Sequence, residues 1–103
     1  MFSIFKRKAA PAIDFKALLQ EGAVVLDVRT PAEFHDGHYA GAVNIPLDKL
    51  AAGLQEIKTE NKTIITVCRS GARSVAAAGM LQKAGVKAFN GGGWTSFARQ
   101  VQS

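Results

Sequence analysis

Thr63-Ile64-Ile65-Thr66-Val67-Cys68-Arg69-Ser70-Gly71-Ala72-Arg73-Ser74 is the stretch that decides how this chain folds. Its first five residues are all β-branched, and a short continuous run of that kind predicts a strand buried on both faces. The period then changes. Over residues 72–84, Ala77, Met80, Leu81 and Ala84 recur on one helical stripe, and Gly85 is placed to end the helix. Cys68 to Gly71 is left as a short loop between the two. Strand, short loop and helix in that order are the unit from which parallel sheets are built.

Upstream the same rhythm recurs. Asp14 is placed to cap a short helix with Phe15, Leu18 and Leu19 on its apolar face, and Gly22 is placed to end it. Residues 23–28 read as a buried strand. Thr30-Pro31-Ala32-Glu33 is a helix start, with Thr30 as cap, Pro31 at the first helical position and Glu33 completing a capping box. Residues 42–45 suggest a brief strand that Pro46 stops. Leu47, Leu50, Leu54 and Ile57 follow at helical spacing, and Asn61-Lys62 turns the chain into the central strand. Downstream, residues 86–89 read as the last strand, Gly91-Gly92-Gly93 as a tight turn, and the remainder as a helix carrying Trp94, Phe97 and Val101. The alternation predicts an α/β fold: a doubly wound, mostly parallel central sheet with helices on both faces. Such sheets bind ligands at the carboxyl ends of their strands, and Cys68 stands at the end of the strongest one.

The 103 residues suffice for one domain. Residues 1–12, with the basic cluster Lys6-Arg7-Lys8, are expected to form a flexible tail ahead of a domain over residues 13–103. A weak membrane-surface anchor is the alternative for that tail. Thirteen Lys and Arg against eight Asp and Glu give a formal charge of +5. Such a field attracts small anions and nucleic acid alike. No basic run interleaved with aromatics appears, so nucleic-acid binding is not expected. No apolar run approaches the length of a membrane span, and the order of apolar and basic residues at the start is the reverse of a secretory signal. A cytoplasmic location is the default expectation.

One cysteine, Cys68, excludes an internal disulfide, and no Cys/His cluster has zinc spacing. A lone thiol is usually an inert core residue. Here its neighbours point the other way. A loop folding back before a helix aims backbone N–H groups inward as an anion nest. The helix N-terminus adds unpaired donors and partial positive charge. Arg69 and Arg73 add permanent charge. All three effects favour the thiolate, which is the nucleophile. Taken singly, Arg69 and Arg73 could be solvated, Ser70 and Ser74 could merely cap, and Gly71 could merely turn the chain. Their coincidence around the only cysteine marks a functional thiol.

The chain resembles the rhodanese homology domain from about Asp14 to about Gln100. Asp27-Val28-Arg29, then Glu33-Phe34 with residues 37–46, then Cys68 to Ser74, then Gly92-Gly93 stand in that family's order and spacing. Phe97 stands where many members have Trp, and Trp94 is in a less usual place. The resemblance implies a sulfurtransferase that holds a persulfide on Cys68. Residues Arg69, Ser70, Gly71, Ala72, Arg73 and Ser74 would cradle a small anionic donor such as thiosulfate. The acceptor would be cyanide or a thiol, including thioredoxin or another protein thiol. It implies no metal and no organic cofactor, because sulfur itself is carried. Four residues separate Cys68 from Arg73. The family's phosphatase relatives have one more, so a phosphatase is the weaker alternative, and a non-catalytic binding module is the other. Asp27 and Arg29, at the end of a buried strand, need partners and are read as support for the site. His38 reads as structural, His35 as a surface residue, and a monomer as the default state.

Overall fold

The computed structural model describes residues 12–102. The expected basic tail, apart from Ala12, lies outside the described residues. The elements run α1 (Phe15–Gln20), β1 (Val24–Asp27), α2 (Pro31–His35), β2 (Val43–Asn44), α3 (Leu47–Glu60), β3 (Ile64–Cys68), α4 (Ala72–Lys83), β4 (Ala88–Gly93) and α5 (Trp94–Gln102). The sheet has four strands in the order β2-β1-β3-β4, and every pairing is parallel. Among the described residues no helix is long and apolar enough to cross a membrane.

Period-two alternation along the central strands feeds two cores. Leu26, Ile64 and Cys68 face α3 and α4, where they meet Leu50, Ala77 and Leu81. Val25, Ile65 and Val67 face α1 and α5, where they meet Phe15 and Phe97. Both faces are therefore covered, and all five residues of β3 are buried. Phe97 is fully buried and takes the edges of Phe15 and Tyr39, with ring centroids 5.4 and 5.2 Å away. Each such aromatic pair adds about 0.5–1.5 kcal/mol beyond its area burial.

The local signals act as their chemistry dictates. Asp14 accepts the Ala17 N–H at 3.0 Å. Thr30 and Glu33 form the reciprocal capping box, with Pro31 inside the first turn. Asn61 ends α3 in the left-handed conformation, φ 53°.

Two expectations at the last strand are corrected. Residues 86 and 87 precede the strand, and Gly91-Gly92-Gly93 forms its second half rather than a turn. The pairing with β3 slips between Thr66↔Asn90 and Val67↔Gly92, which leaves Gly91 as the extra residue of a bulge. The Asn90 side chain accepts the Gly92 N–H at 2.9 Å and holds the kink. Glycine runs ordinarily mark turns because they lack a side chain to pack. Here that lack is what pairing requires. A Cβ on Gly91 would lie 2.9 Å from Ile65 Cγ2, and one on Gly93 would lie 2.8 Å from the Arg69 carbonyl oxygen.

The Arg69 contact leads to a measurable expectation. Gly93→Ala drives a methyl against a backbone carbonyl, which cannot swing away as a side-chain tip can. A loss of about 1–3 kcal/mol is expected in urea unfolding. Gly53→Ala, inside α3 with nothing within 4 Å of the added carbon, should instead gain roughly 0.5–1 kcal/mol. Equal effects at the two positions would contradict the close approach of β4 to the loop.

Candidate active site

The sheet winds outward in both directions from β1 and β3, so their carboxyl ends form the topological switch point. Asp27 pairs with Val67 there, and Cys68 pairs with Gly93 of β4. Cys68 is the last residue of β3, with its side chain toward α4 and only 1 % exposed.

Donors surround the sulfur. The Gly71 N–H donates to Sγ at 2.9 Å and the Ser74 N–H at 3.4 Å. The neutral Cys68 thiol donates to Ser74 Oγ at 3.4 Å while the Ser74 hydroxyl faces the Gly71 carbonyl at 3.0 Å, and that hydroxyl rotates to donate to Sγ when the thiol ionises. Gly71 makes this geometry at φ 105°, in the left-handed region where a side chain would be strained. It precedes the first residue of α4 and receives no side-chain cap. Thr66 secures the far side by donating its hydroxyl to the Ser74 carbonyl at 2.8 Å.

Burial by itself pushes the Cys68 thiol up. The Ser74 hydroxyl, the Ser74 N–H and the Gly71 and Ser70 N–H groups together outweigh it, and the thiol falls below its ordinary value. Arg73 interacts with Cys68 through charge, while its hydrogen bonds go to another partner. Arg73 donates to both oxygens of Glu33, at 2.7 and 2.9 Å, so its charge is already paired. This contact holds the Glu33 carboxyl down to about 2, through the Arg73 hydrogen bond first and the Thr30 N–H second. One carboxylate thus caps α2 and anchors the first turn of α4, 40 residues away. Arg69 is exposed, whereas Arg29 and Arg73 are held in ion pairs with Asp27 and Glu33. Ser70 is exposed on the loop and Ala72 is exposed at the start of α4.

Asp27 and Arg29 lie beneath the loop. Asp27 is fully buried and accepts from Arg29 N at 3.0 Å, from Nε at 2.9 and 3.0 Å, and from NH2 at 2.7 Å. Arg29 spends its other donors on the Glu33 and Gly37 carbonyls. The Asn44 amide donates to the carbonyls of Asp27 and Arg29 and fixes the end of β1. His38 donates from Nδ1 to the Phe34 carbonyl at 2.8 Å and stacks on the Phe34 ring. No acid–base role follows from that arrangement.

Sequence reasoning missed two participants. Glu33 is legible only as a helix cap, because its second partner is remote in the chain. Trp94 lies 5.0 Å over the Arg29 guanidinium and lines, with Arg29, Glu33, Asp36 and Arg69, a cleft of about 250 Å³. Its place directly after Gly93, the strand partner of Cys68, was the available signal.

The Ser74 hydroxyl can be tested. Titrating thiolate ultraviolet absorbance, with Cys68→Ala as blank, should give an inflection below that of an ordinary thiol, and Ser74→Ala should move it upward. An unmoved inflection would assign the shift to the backbone donors alone.

A parallel α/β domain whose switch-point loop surrounds a single thiol with donors is the class that fold and site define. Residues 12–100 match the family model described as Rhodanese-like domain, and the chain belongs to that family. It is 36 % identical over 95 residues to thiosulfate sulfurtransferase 16, chloroplastic, of Arabidopsis thaliana, covering 80 % of this chain and 79 % of the plant protein. It is 44 % identical over 63 residues to the Bacillus subtilis protein YqhL, covering 61 % of this chain and about half, 49 %, of that relative's length. A solved rhodanese-like domain protein from Staphylococcus aureus superposes with a TM-score of 0.69 at 29 % identity, covering 82 % of this chain and 83 % of that one.

Proposed function

We propose that this chain is a sulfurtransferase that carries a sulfane sulfur on Cys68. The observation that carries the reading is the ring of donors on Sγ, led by the Gly71 N–H at 2.9 Å, at the mouth of a parallel sheet. The family and the sulfurtransferase name of the plant relative support it. In the first half-reaction the Cys68 thiolate attacks the outer sulfur of thiosulfate or a similar donor. The donor's sulfur–sulfur bond breaks, and sulfite leaves with the bonding pair. The new terminal sulfur carries the negative charge, which backbone donors are suited to hold. In the second half a thiophilic acceptor, cyanide or a thiol, removes that sulfur and regenerates the thiolate. Arg69, the exposed loop residue Ser70 and Ala72 at the start of α4 are the groups that meet an arriving anion. Arg73 acts by keeping the first turn of α4 in place through Glu33. Donor and acceptor leave as products, so sulfur is the only group the protein has to hold.

Intact mass spectrometry before and after thiosulfate tests the reading. One added sulfur, removed by a reductant, is expected. No added sulfur with thiosulfate or with any other sulfane donor would overturn it. Faster release of phosphate from an aryl phosphate than of sulfite from thiosulfate would put a phosphatase in its place.

A further inference from the structure

β2 is too short to finish the edge of the sheet. β1 pairs with it only at Leu26 and Asp27, whereas β3 accompanies β1 from Val24 onward. Toward the amino end of β1 a cleft of about 200 Å³ opens between the strands and α3. Its apolar walls include Val24, Leu26, Val43, Ile45 and Ile57, and Val43 is 48 % exposed. That volume is below the about 300–1,000 Å³ of ordinary small-molecule sites and suits one or two apolar side chains. Glu56 and Glu60, both exposed on α3, complete the cleft. They stand one helical turn apart, where like charges repel. Neither carboxylate has an ion pair or hydrogen bond among the described residues. Cys68 ends β3 at the opposite, carboxyl end of the sheet, so this cleft is separate from the sulfur site.

We infer that this cleft receives the N-terminal segment of the same chain, with Phe2, Ile4 or Phe5 seated on the apolar walls and Lys6, Arg7 and Lys8 paired with Glu56 and Glu60. The segment reads Met1-Phe2-Ser3-Ile4-Phe5-Lys6-Arg7-Lys8, apolar first and basic after. An apolar floor beside two unpaired carboxylates is its complement in both respects. The reach is sufficient. The Leu18 carbonyl accepts the Ala23 N–H at 3.0 Å, and Asp14 caps the same helix, so Asp14 lies within about 15–20 Å of Val24. From Asp14 back to Phe5 the chain extends for about 30 Å, enough to round the β1 edge from the α1 face to the α3 face. Docking there covers a sheet edge that β2 leaves open, and it takes Val43 out of water. A lipid surface would engage the same segment but leave the cleft and its repelling carboxylates without a partner. The inference is independent of the sulfur-transfer reading.

A nitroxide placed on Ser3→Cys in the full chain, with Cys68→Ala so that the label has one site, reads the contact by nuclear magnetic resonance at low salt. The same sample with the nitroxide reduced is the reference and reports that the fold is intact, and Cys68→Ser replaces Cys68→Ala if it is not. The methyl signals of Val43, Ile45 and Ile57 should lose most of their intensity while that of Val75, on α4 beside the cysteine loop, keeps its own. Glu56→Gln with Glu60→Gln should lower the ratio of docked to free segment by about 2–30-fold, the range of two exposed ion pairs. Both positions are exposed on the surface of α3, so the helix tolerates the change. Broadening that is uniform over these methyls, or that is unchanged in the Gln variant, would overturn the assignment. Broadening of isotope-labelled chains by spin-labelled unlabelled ones would overturn it in favour of a second copy's segment. Binding to vesicles of phosphatidylserine and phosphatidylcholine, with no broadening at the cleft in solution, would overturn it in favour of a lipid surface.

Discussion

Cys68→Ala protein is expected to take up no sulfur from thiosulfate, and its transfer to cyanide should fall by at least roughly 10⁴-fold, because the proposed nucleophile is removed. No second thiol exists in the chain to substitute for it. Structural collapse does not explain such a loss. Alanine at this position removes one sulfur from a core that Leu26, Ile64, Ala77 and Leu81 still fill. Cys68→Ser separates the two effects further. It keeps nearly the same volume and the same donors, but a hydroxyl does not ionise in this cradle and cannot hold sulfane sulfur. Both variants should unfold close to the parent in urea and both should be inactive. Sulfur uptake by either variant would place the carrier elsewhere.

Asp27→Ala is expected to be the most destabilising single change at the site, at about 3–5 kcal/mol, measured by urea unfolding. The carboxylate is fully buried and takes all its hydrogen bonds from Arg29, whose side chain is only 5 % exposed. Removing it strands a guanidinium with the Glu33 and Gly37 carbonyls as its remaining partners. Against a typical domain stability of about 5–15 kcal/mol this is a large fraction. The double variant Asp27→Leu, Arg29→Met removes both charges, so it should recover most of the lost stability. It should not recover sulfur transfer, because the Gly37 carbonyl and the Trp94 ring lose the group that holds them. Recovery of both would reduce the pair to a packing element, and recovery of neither would mean that its hydrogen bonds, not its charges, stabilise β1.

The sequence was most informative where the chemistry is local. The run 63–67, the Thr30 capping box and the helical stripe after Gly71 each act within a few residues. Element order, sheet type and the position of Cys68 at a strand end were therefore legible from them. Reading Gly91-Gly92-Gly93 as a turn failed for a specific reason. Glycine signals a turn when judged by its own backbone freedom, whereas here it serves the approach of a neighbouring strand. That demand comes from Arg69 and Ile65, more than twenty residues earlier.

The sequence by itself determined that a single thiol stands between a buried strand and a helix, in a loop able to aim N–H groups at it. Only the tertiary structure decided which groups do so and what surrounds them. It seats Cys68 1 % exposed beneath Gly71 and Ser74, and it pairs Arg73 with Glu33 rather than leaving it free over the sulfur. It also brings Asp36, Arg69 and Trp94 to one cleft. The physical reason is the range of the contacts. Capping and periodicity depend on neighbours three or four residues apart, but ion pairing and close approach depend on strand order and register, which exist only once the sheet has formed.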